Sequence, residues 1–570
     1  MPTLPEEIDA APWHRMFHAY AVATDTPNHL KALATDDAEA HKAALTHLFS
    51  AEIHQGTPWP STPTTAVFVA RLLADGLIRD PGLRVDLLRF LRAVAESGDL
   101  GGRADEARAA AYPEDDRAVN DWLDRYLAAD EEGRLGLWTD EAEVGELLAV
   151  RAVVDCHDAM PRLLELVLPL AGAPEPDVRT AALSAAVLLA RHPRADAQRS
   201  RLIETLAEAA REPGLPADDR AALVLCIGET GAAPREFLAD PWLVVRGCAA
   251  LAPALAADPE ALGVLAELIA SPRAFELGFT RRPDQFGTSP RCSLIAAACA
   301  RLPDDDRLIA GVASVEPGDG WFSAEDEIGP YLRRFFAAGW PVPAERGRGQ
   351  RSLARLIARA DGLWNPGDGN RYLAFARLSL PQGREAWREL ADAPAEPGRY
   401  SAADIEVLSS AMALRRRPER YFGTAGTNRP RSEAIVDLLD RAYQQAVDEG
   451  RVGAFSIDIS TAPSSPSADR CFTLRVAGHE LSSEPGESAR PAPLTSVMTA
   501  CFAGPQPLKQ VTMTAAVCAK ATATAYRDGR AFTQNFAVAT PLGPITVSEP
   551  ESDAPADGYA IAFELDRTLL

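Results

Sequence analysis

The sequence predicts a multidomain chain in which an all-α array of short stacked helices, residues 1–390, precedes an α+β sandwich, residues 404–570. Three observations predict it. From Thr64 to Leu390 helix-length apolar patterns alternate with Pro, Gly or Asp punctuation and show almost no strand-like alternation. The run ADAPAEPGRYS then breaks the pattern, so residues 391–403 read as a linker. Beyond it, one long helical stretch is followed by alternating apolar segments that read as strands.

At 570 residues the chain is too long for a single core, and 47% hydrophobic with 24% charged residues places it among folded proteins. Its 81 acidic against 58 basic side chains give a net charge of -23, which repels phosphate backbones unless basic residues gather on one face and so disfavours non-specific nucleic-acid binding. No cationic stretch followed by an apolar run opens the sequence, and no segment is long and apolar enough to cross a bilayer, so a cytoplasmic protein is expected. The eight cysteines form no CxxC pair. Cys292 and Cys299 fall seven apart in an Ala-rich helix, on one face, as small apolar residues.

The helical array has internal repetition. PDVRTAALSAAVLLARHP at 176–193 and DPWLVVRGCAALAPALA at 240–256 each pair a proline start with Val-Arg and a ridge of small residues, and PADDRAALVLCIGETGA at 216–232 echoes them. Pro176 and Pro216 are 40 residues apart, the period of two-helix units that share one continuous core. These units are similar to HEAT and armadillo repeats, most specifically over 160–270, and the resemblance implies a solenoid with a concave protein-binding surface. HQGTPWPSTPTTAVFVARLLADG at 54–76 resembles the opening module of bacterial HEAT-like proteins, where Pro58, Pro60 and Pro63 separate one helix from the next.

In the last third, a helix at 431–449 precedes GAFSIDIS, CFTLRVAG, QVTMTAAVC, ATATAYRDGRAFTQNFAV, PITVSE and GYAIAFEL, all read as strands. Arg527-Asp528-Gly529-Arg530 between two alternating runs signals a tight hairpin. The segment DIEVLSSAMALRRRPERYFGT at 404–424, with Arg416, Arg417, Pro418, Tyr421 or Phe422, and Gly423, resembles the opening of the ATP-binding domain found in the B subunits of DNA gyrase and topoisomerase IV, in the GHKL ATPase class. The Arg-Asp-Gly hairpin, the Gln-x-Phe strand, the Gly-Pro turn at 523–547 and the closing GYAIAFELDRTLL follow in the family's order.

That resemblance implies a general base, a magnesium ligand, an adenine-binding Asp and glycine-rich phosphate loops, and the chain departs at each. Asp437 stands at the position of the base but is one methylene shorter than glutamate, which withdraws its oxygens by roughly 1.5 Å where a misplacement of about 1 Å costs on the order of a hundredfold in rate. Arg441 stands where the family holds magnesium through an asparagine, and a guanidinium has only donors to offer. At a helical spacing of four, Arg441 is expected to pair with Asp437. The adenine carboxylate would fall at Ala477 or Gly478. The lid interval, SSEPGESARPAPLTSVMTACFAGPQP, is short and lacks clustered glycines, and the sequence stops at Leu570, ahead of the family's lysine-bearing second domain. Arg527 matches an arginine at the mouth of the family's nucleotide pocket.

The expectation is a pseudo-ATPase: a non-catalytic interaction protein, with neither ATP nor Mg²⁺ nor any other cofactor, whose gyrase-like domain binds a protein partner, a gyrase-directed toxin or an inhibitor in an immunity, resistance or defence role. The competing expectation is an ATP-binding protein with residual or regulatory nucleotide binding, in which Arg441 touches phosphate. Three further features read as structural. His14 and His18 in WHRMFH fit a helix-packing pair, NPGDGN at 365–370 a turn without the Lys-Ser/Thr of a phosphate loop, and RGRGQRSLARLIAR at 346–359 a solvated basic helix face.

Overall fold

The computed structural model describes residues 2–303, 305–315, 324–341, 347–364, 369–392, 410–422, 431–460, 468–478, 493–499, 507–552 and 554–569. The chain packs as two compact units, Met1–Ala232 and Ala233–Leu570. The division thus falls inside the helical run, and the second unit holds both later helices and the sheet. The expected linker at 391–403 lies outside the described residues from 393 onward, as do 365–368 of the NPGDGN turn.

The first unit is helical, and its punctuation residues act as the sequence implied. Asp80 caps the helix Pro81–Ser97 by accepting from the Leu83 N–H, while Pro81 occupies a first-turn position where no N–H is needed. The helix Pro176–Leu189 is buried on nearly every side, from Val178 through Leu189, and packs between Pro81–Ser97 and Ala217–Glu229. Small residues let these helices approach closely. Arg92 binds the three together: it donates to Ser184 O at 2.9 Å and pairs with Glu229 at 2.6 Å. Burial without those partners would cost several kcal/mol (roughly 3–5).

The Val-Arg arginines perform one repeated task. Arg179 reaches back to Ala173 O at 2.9 Å and across to Glu212. Arg246 reaches back to Asp240 O at 3.1 Å and across to Glu267. Each donates to a loop carbonyl just ahead of its own helix.

In the second unit, helices from Leu243–Leu251 to Arg384–Asp392 precede an antiparallel sheet. Numbered along the chain after a two-residue pair at Ile53–His54 (β1) and Thr57–Pro58 (β2), its strands are β3 (Ala454–Ser460), β4 (Ala468–Ala477), β5 (Cys518–Arg527), β6 (Arg530–Ala537), β7 (Thr540–Pro541), β8 (Thr546–Ser548) and β9 (Gly558–Asp566). The order is β3-β4-β9-β5-β6-β7, with β8 also on β6. Alternation puts Phe472, Leu474 and Val476 of β4 and Tyr559, Ile561 and Phe563 of β9 on one buried face, against the helix Arg431–Asp448. On β5 the residues opposite Phe563, Ile561 and Tyr559 are Ala521, Ala523 and Ala525, so large side chains meet small ones across the ladder.

One expected strand is a helix. QVTMTAAVC at 510–518 lies in the helix Leu508–Ala516, with β5 beginning only at Cys518. Residues Gln510 to Ala516 are all buried, so the helix has no polar face to reveal its period, and its Thr hydroxyls bond their own helix, Thr512 to Lys509 O and Thr514 to Gln510 O.

The end of β9 is where the layers meet. Asp566 is fully buried and paired with both Arg415, from the helix Ser410–Arg416, and Arg273, at 2.8 Å, from the helix Pro272–Leu277. Arg415 also donates to Ala516 O at 3.2 Å, and the Asp566 N–H to Val517 O at 3.0 Å. Of the basic run matched to the family, Arg417 is exposed, while the preceding Arg415 turns inward. Replacing Asp566 by Ala would remove the carboxylate that the buried Arg415 and the largely buried Arg273 share, so Asp566→Ala is expected to lower unfolding stability by about 3–5 kcal/mol in urea titration, against less than about 0.5 kcal/mol for Arg527→Ala on the surface.

Candidate functional site

The helix Arg431–Asp448 carries the residues matched to catalysis. Its apolar stripe, Ile435, Leu439, Tyr443 and Ala446, is buried on the sheet, and the Tyr443 and Tyr559 hydroxyls bond each other at 2.6 Å beneath it. Burial pushes both phenols well above their ordinary range. Asp437 and Arg441 project away from this stripe, Asp437 half-buried and Arg441 exposed. Arg441 Nε donates to the main-chain oxygen of Asp437 at 3.2 Å, so this nitrogen is aimed at backbone and not at the carboxylate expected to receive it.

At the helix end, Gly450 adopts φ +67 and Gly453 N donates to Ala477 O at 3.1 Å. Ala477 lies opposite Gly558, and Gly558 opposite Tyr526, the residue before Arg527. Gly478, at φ +72, donates to Asp557 O at 3.1 Å. Arg527 is half-exposed beside Asp528 at 3.4 Å, in a turn whose Asp528 and Gly529 both take positive φ, as the hairpin signal required.

Ala477, Gly478 and Arg527 therefore share one end of the sheet. Arg441 stands about 13 Å back along the helix from Gly450 and Asp437 about 20 Å, by helical rise. Asp437 sits one turn from Glu433, which pairs with Arg470 at 3.5 Å near the start of β4, the opposite end of that strand from Ala477. A ligand touching both groups would have to be extended. Pro418 and Phe422 are buried and Tyr421 half-buried, while Gly423 and residues 482–492 and 500–506 of the lid interval lie outside the described residues. Residues Pro493–Thr499 between them are helical.

The other sequence candidates fall elsewhere. In the basic stretch, Arg348 pairs with Asp306 at 2.8 Å and Arg351 is buried, so the face is not uniformly solvated. Cys292 and Cys299 are free and buried, with thiols pushed up to about 12 by burial. His14 and His18 do not share a helix: Trp13–Arg15 is a single tight turn after Pro12, Met16 is extended, and His18 sits beside the bridge between Phe17 and Val22. His14 is exposed while His18 is buried.

A second cluster has His18 at its edge. His18 Nε2 bonds Asp25 Oδ1 at 3.0 Å, which holds that carboxyl down to about 2. His47 Nδ1 faces Asp25 Oδ2 at 3.9 Å, and its Nε2 contacts Thr26 Oγ1 at 2.9 Å with the fully buried Glu52 just beyond at 3.5 Å. Ser61 donates to Glu52 at 2.7 Å, and His29 stacks on His47 at 4.3 Å. The partners come from Asp25 at the start of one helix, His47 at the end of the next and Glu52 after a wide turn, spacings that no short motif would reveal.

No protein-family profile matches the chain. The B subunit of DNA topoisomerase 4 from Caulobacter vibrioides is similar to it, with 30% identity over 188 residues, covering 30% of this chain. The match spans 25% of that protein's length. The chain thus contains a region like the B subunits of gyrase and topoisomerase IV, together with a helical N-terminal region and a C-terminal antiparallel sheet. Among the described residues no helix is long and apolar enough to cross a membrane.

The close pairing of β4 and β9 at this end of the sheet tolerates no side chain at Gly558, where a Cβ would stand 2.1 Å from Val476 O. Gly558→Ala is expected to cost roughly 1–3 kcal/mol in chemical denaturation, whereas Arg441→Ala, at an exposed position, should change stability by less than about 0.5 kcal/mol.

Proposed function

We propose that this is a non-catalytic interaction protein, in which a HEAT-like helical array offers a protein-binding surface and a gyrase-B-like GHKL domain is retained for its shape and not for turnover. The observation that carries the reading is Arg441: the position where the family holds its metal through a neutral oxygen carries a permanent cation, one nitrogen of which is tied to the backbone of its own helix. Two cations at one site repel, so Mg²⁺-ATP cannot be held there as the family holds it. The absence of a carboxylate at Ala477 and Gly478 removes the adenine acceptor as well.

In its specific form, the domain mimics the B subunit of the topoisomerase and engages a partner, toxin or inhibitor directed at the real enzyme, in a cytoplasmic defence or resistance role. Similarity to part of a topoisomerase 4 B subunit supports this form.

Phosphate release by the purified full chain with Mg²⁺-ATP is expected to stay at the buffer rate, and calorimetry with ATP or ADP to give no binding heat. The chain should instead bind a gyrase- or topoisomerase-directed inhibitor or the partner subunit of those enzymes. Turnover above background would overturn the reading. Nucleotide binding that disappears in Arg441→Ala would replace it with the regulatory one, in which Arg441 contacts phosphate.

A further inference from the structure

The cluster of His18, Asp25 and His47 has a proton arrangement that can be worked out from its partners. Thr26 has one hydroxyl proton and gives it to Glu52 Oε1 at 2.9 Å. The 2.9 Å contact between Thr26 Oγ1 and His47 Nε2 therefore requires the imidazole to donate. A neutral His47 then carries its lone pair on Nδ1, the atom that faces Asp25 Oδ2 at 3.9 Å.

Two acceptors face each other there, and something positive must lie between them for the contact to be attractive. A proton fits poorly, because 3.9 Å is well beyond hydrogen-bond length. A metal ion bridges such a gap: bonds of about 2.0–2.1 Å to an imidazole nitrogen and of about 2.0–2.2 Å to a carboxylate oxygen reach across it at an angle wider than tetrahedral, and an approach of about 0.5 Å between the two ligands makes that angle tetrahedral. The ligand atoms of His18, Asp25 and His47 all lie within 4.8 Å of one another.

His18 takes a different part from the other two. Its Nδ1 accepts the main-chain N–H groups of Tyr20 at 3.2 Å and Ala21 at 3.3 Å, so Nε2 carries the proton that it donates to Asp25 Oδ1. Each inner ligand thus has its own support: His18 holds Asp25, and Thr26 with the buried Glu52 holds His47 through Nε2. Asp25 is half-exposed, which opens one side to water.

We propose that Asp25 Oδ2 and His47 Nδ1 bind one divalent transition-metal ion of the zinc class, with water completing its shell and His18 and Glu52 orienting the two ligands from behind. An imidazole nitrogen paired with a carboxylate suits zinc, cobalt or nickel, whereas magnesium and calcium take oxygen ligands.

The test is calorimetric titration of zinc chloride into the full chain and its variants, with magnesium chloride as comparison. Wild type is expected to show one zinc equivalent that is lost in both Asp25→Asn and His47→Gln, and no magnesium heat. His18→Ala should weaken zinc by about 10–100-fold without abolishing it, the loss typical of an outer partner. Asp25→Asn alters a half-exposed residue and keeps the oxygen that His18 bonds, so it decides the matter even if His47→Gln fails to fold, as circular dichroism would reveal. Zinc titrations that coincide for wild type and Asp25→Asn would overturn the proposal.

Discussion

The second compact unit depends on a single buried carboxylate. Asp566, at the end of β9, meets guanidinium groups from Arg273 and Arg415, which lie far apart in sequence and on different helices. Desolvating such a trio cancels most of its Coulomb attraction, so its presence adds little net stability over apolar packing. Its effect is geometric. Arg415 also bonds Ala516 O, and the Asp566 N–H bonds Val517 O, so one side chain and its own amide fix the end of β9, the start of β5 and two helices at once. A slip of one residue in β9 would turn Asp566 away from both arginines and send Tyr559, Ile561 and Phe563 to the opposite face.

The ladder across β4, β9 and β5 is consistent with that register. Aromatic and branched residues on β9 stand opposite alanines on β5 and opposite Phe472, Leu474 and Val476 on β4, so the central strand carries the bulk and one neighbour makes room. At the start of β9, Gly558 lets Val476 O approach the backbone. On the far edge, Leu243 N bonds Leu542 O, and the aromatic ring of Trp242 fills the space that a side chain on Gly543 would need. The helices before the sheet and the corner of β6 and β7 thus share one packed seam, in which Ala274, Ala537 and Leu542 are buried together.

Much of this was legible in the sequence because it rests on local rules. The alternation of β4, β5, β6 and β9 and the Asp528-Gly529 turn are written in short-range pattern, and so are the proline starts and Asp caps of the helices. What escaped was decided by tertiary burial. The helix Leu508–Ala516 is enclosed on every side, so its Val-Thr-Met-Thr run imitates a strand. That Arg415 turns inward depends on Asp566, 151 residues away. The His18 cluster escaped for a related reason: a helical reading of WHRMFH paired His18 with His14, whereas the extended backbone after Arg15 sends His18 toward Asp25.

The same distinction bears on the gyrase-like region. The features it shares with the family, the basic opening and the Arg-Asp-Gly hairpin, are those that build the core and its corners: Pro418 and Phe422 are buried, and the hairpin carries β5 into β6. Asp437 and Arg441, where the chemistry would reside, lie off the apolar stripe of their helix, and Ala477 and Gly478 lie at a strand end, so the buried core does not rest on the side chains of these four. A fold can therefore survive loss of its chemistry at such positions, because stability places few demands on them. Asp566 is constrained in the opposite way, since both arginines become a burden as soon as it changes. That contrast, buried charges that hold the fold and positions off the core that do not, is what the proposed non-catalytic reading requires of the domain.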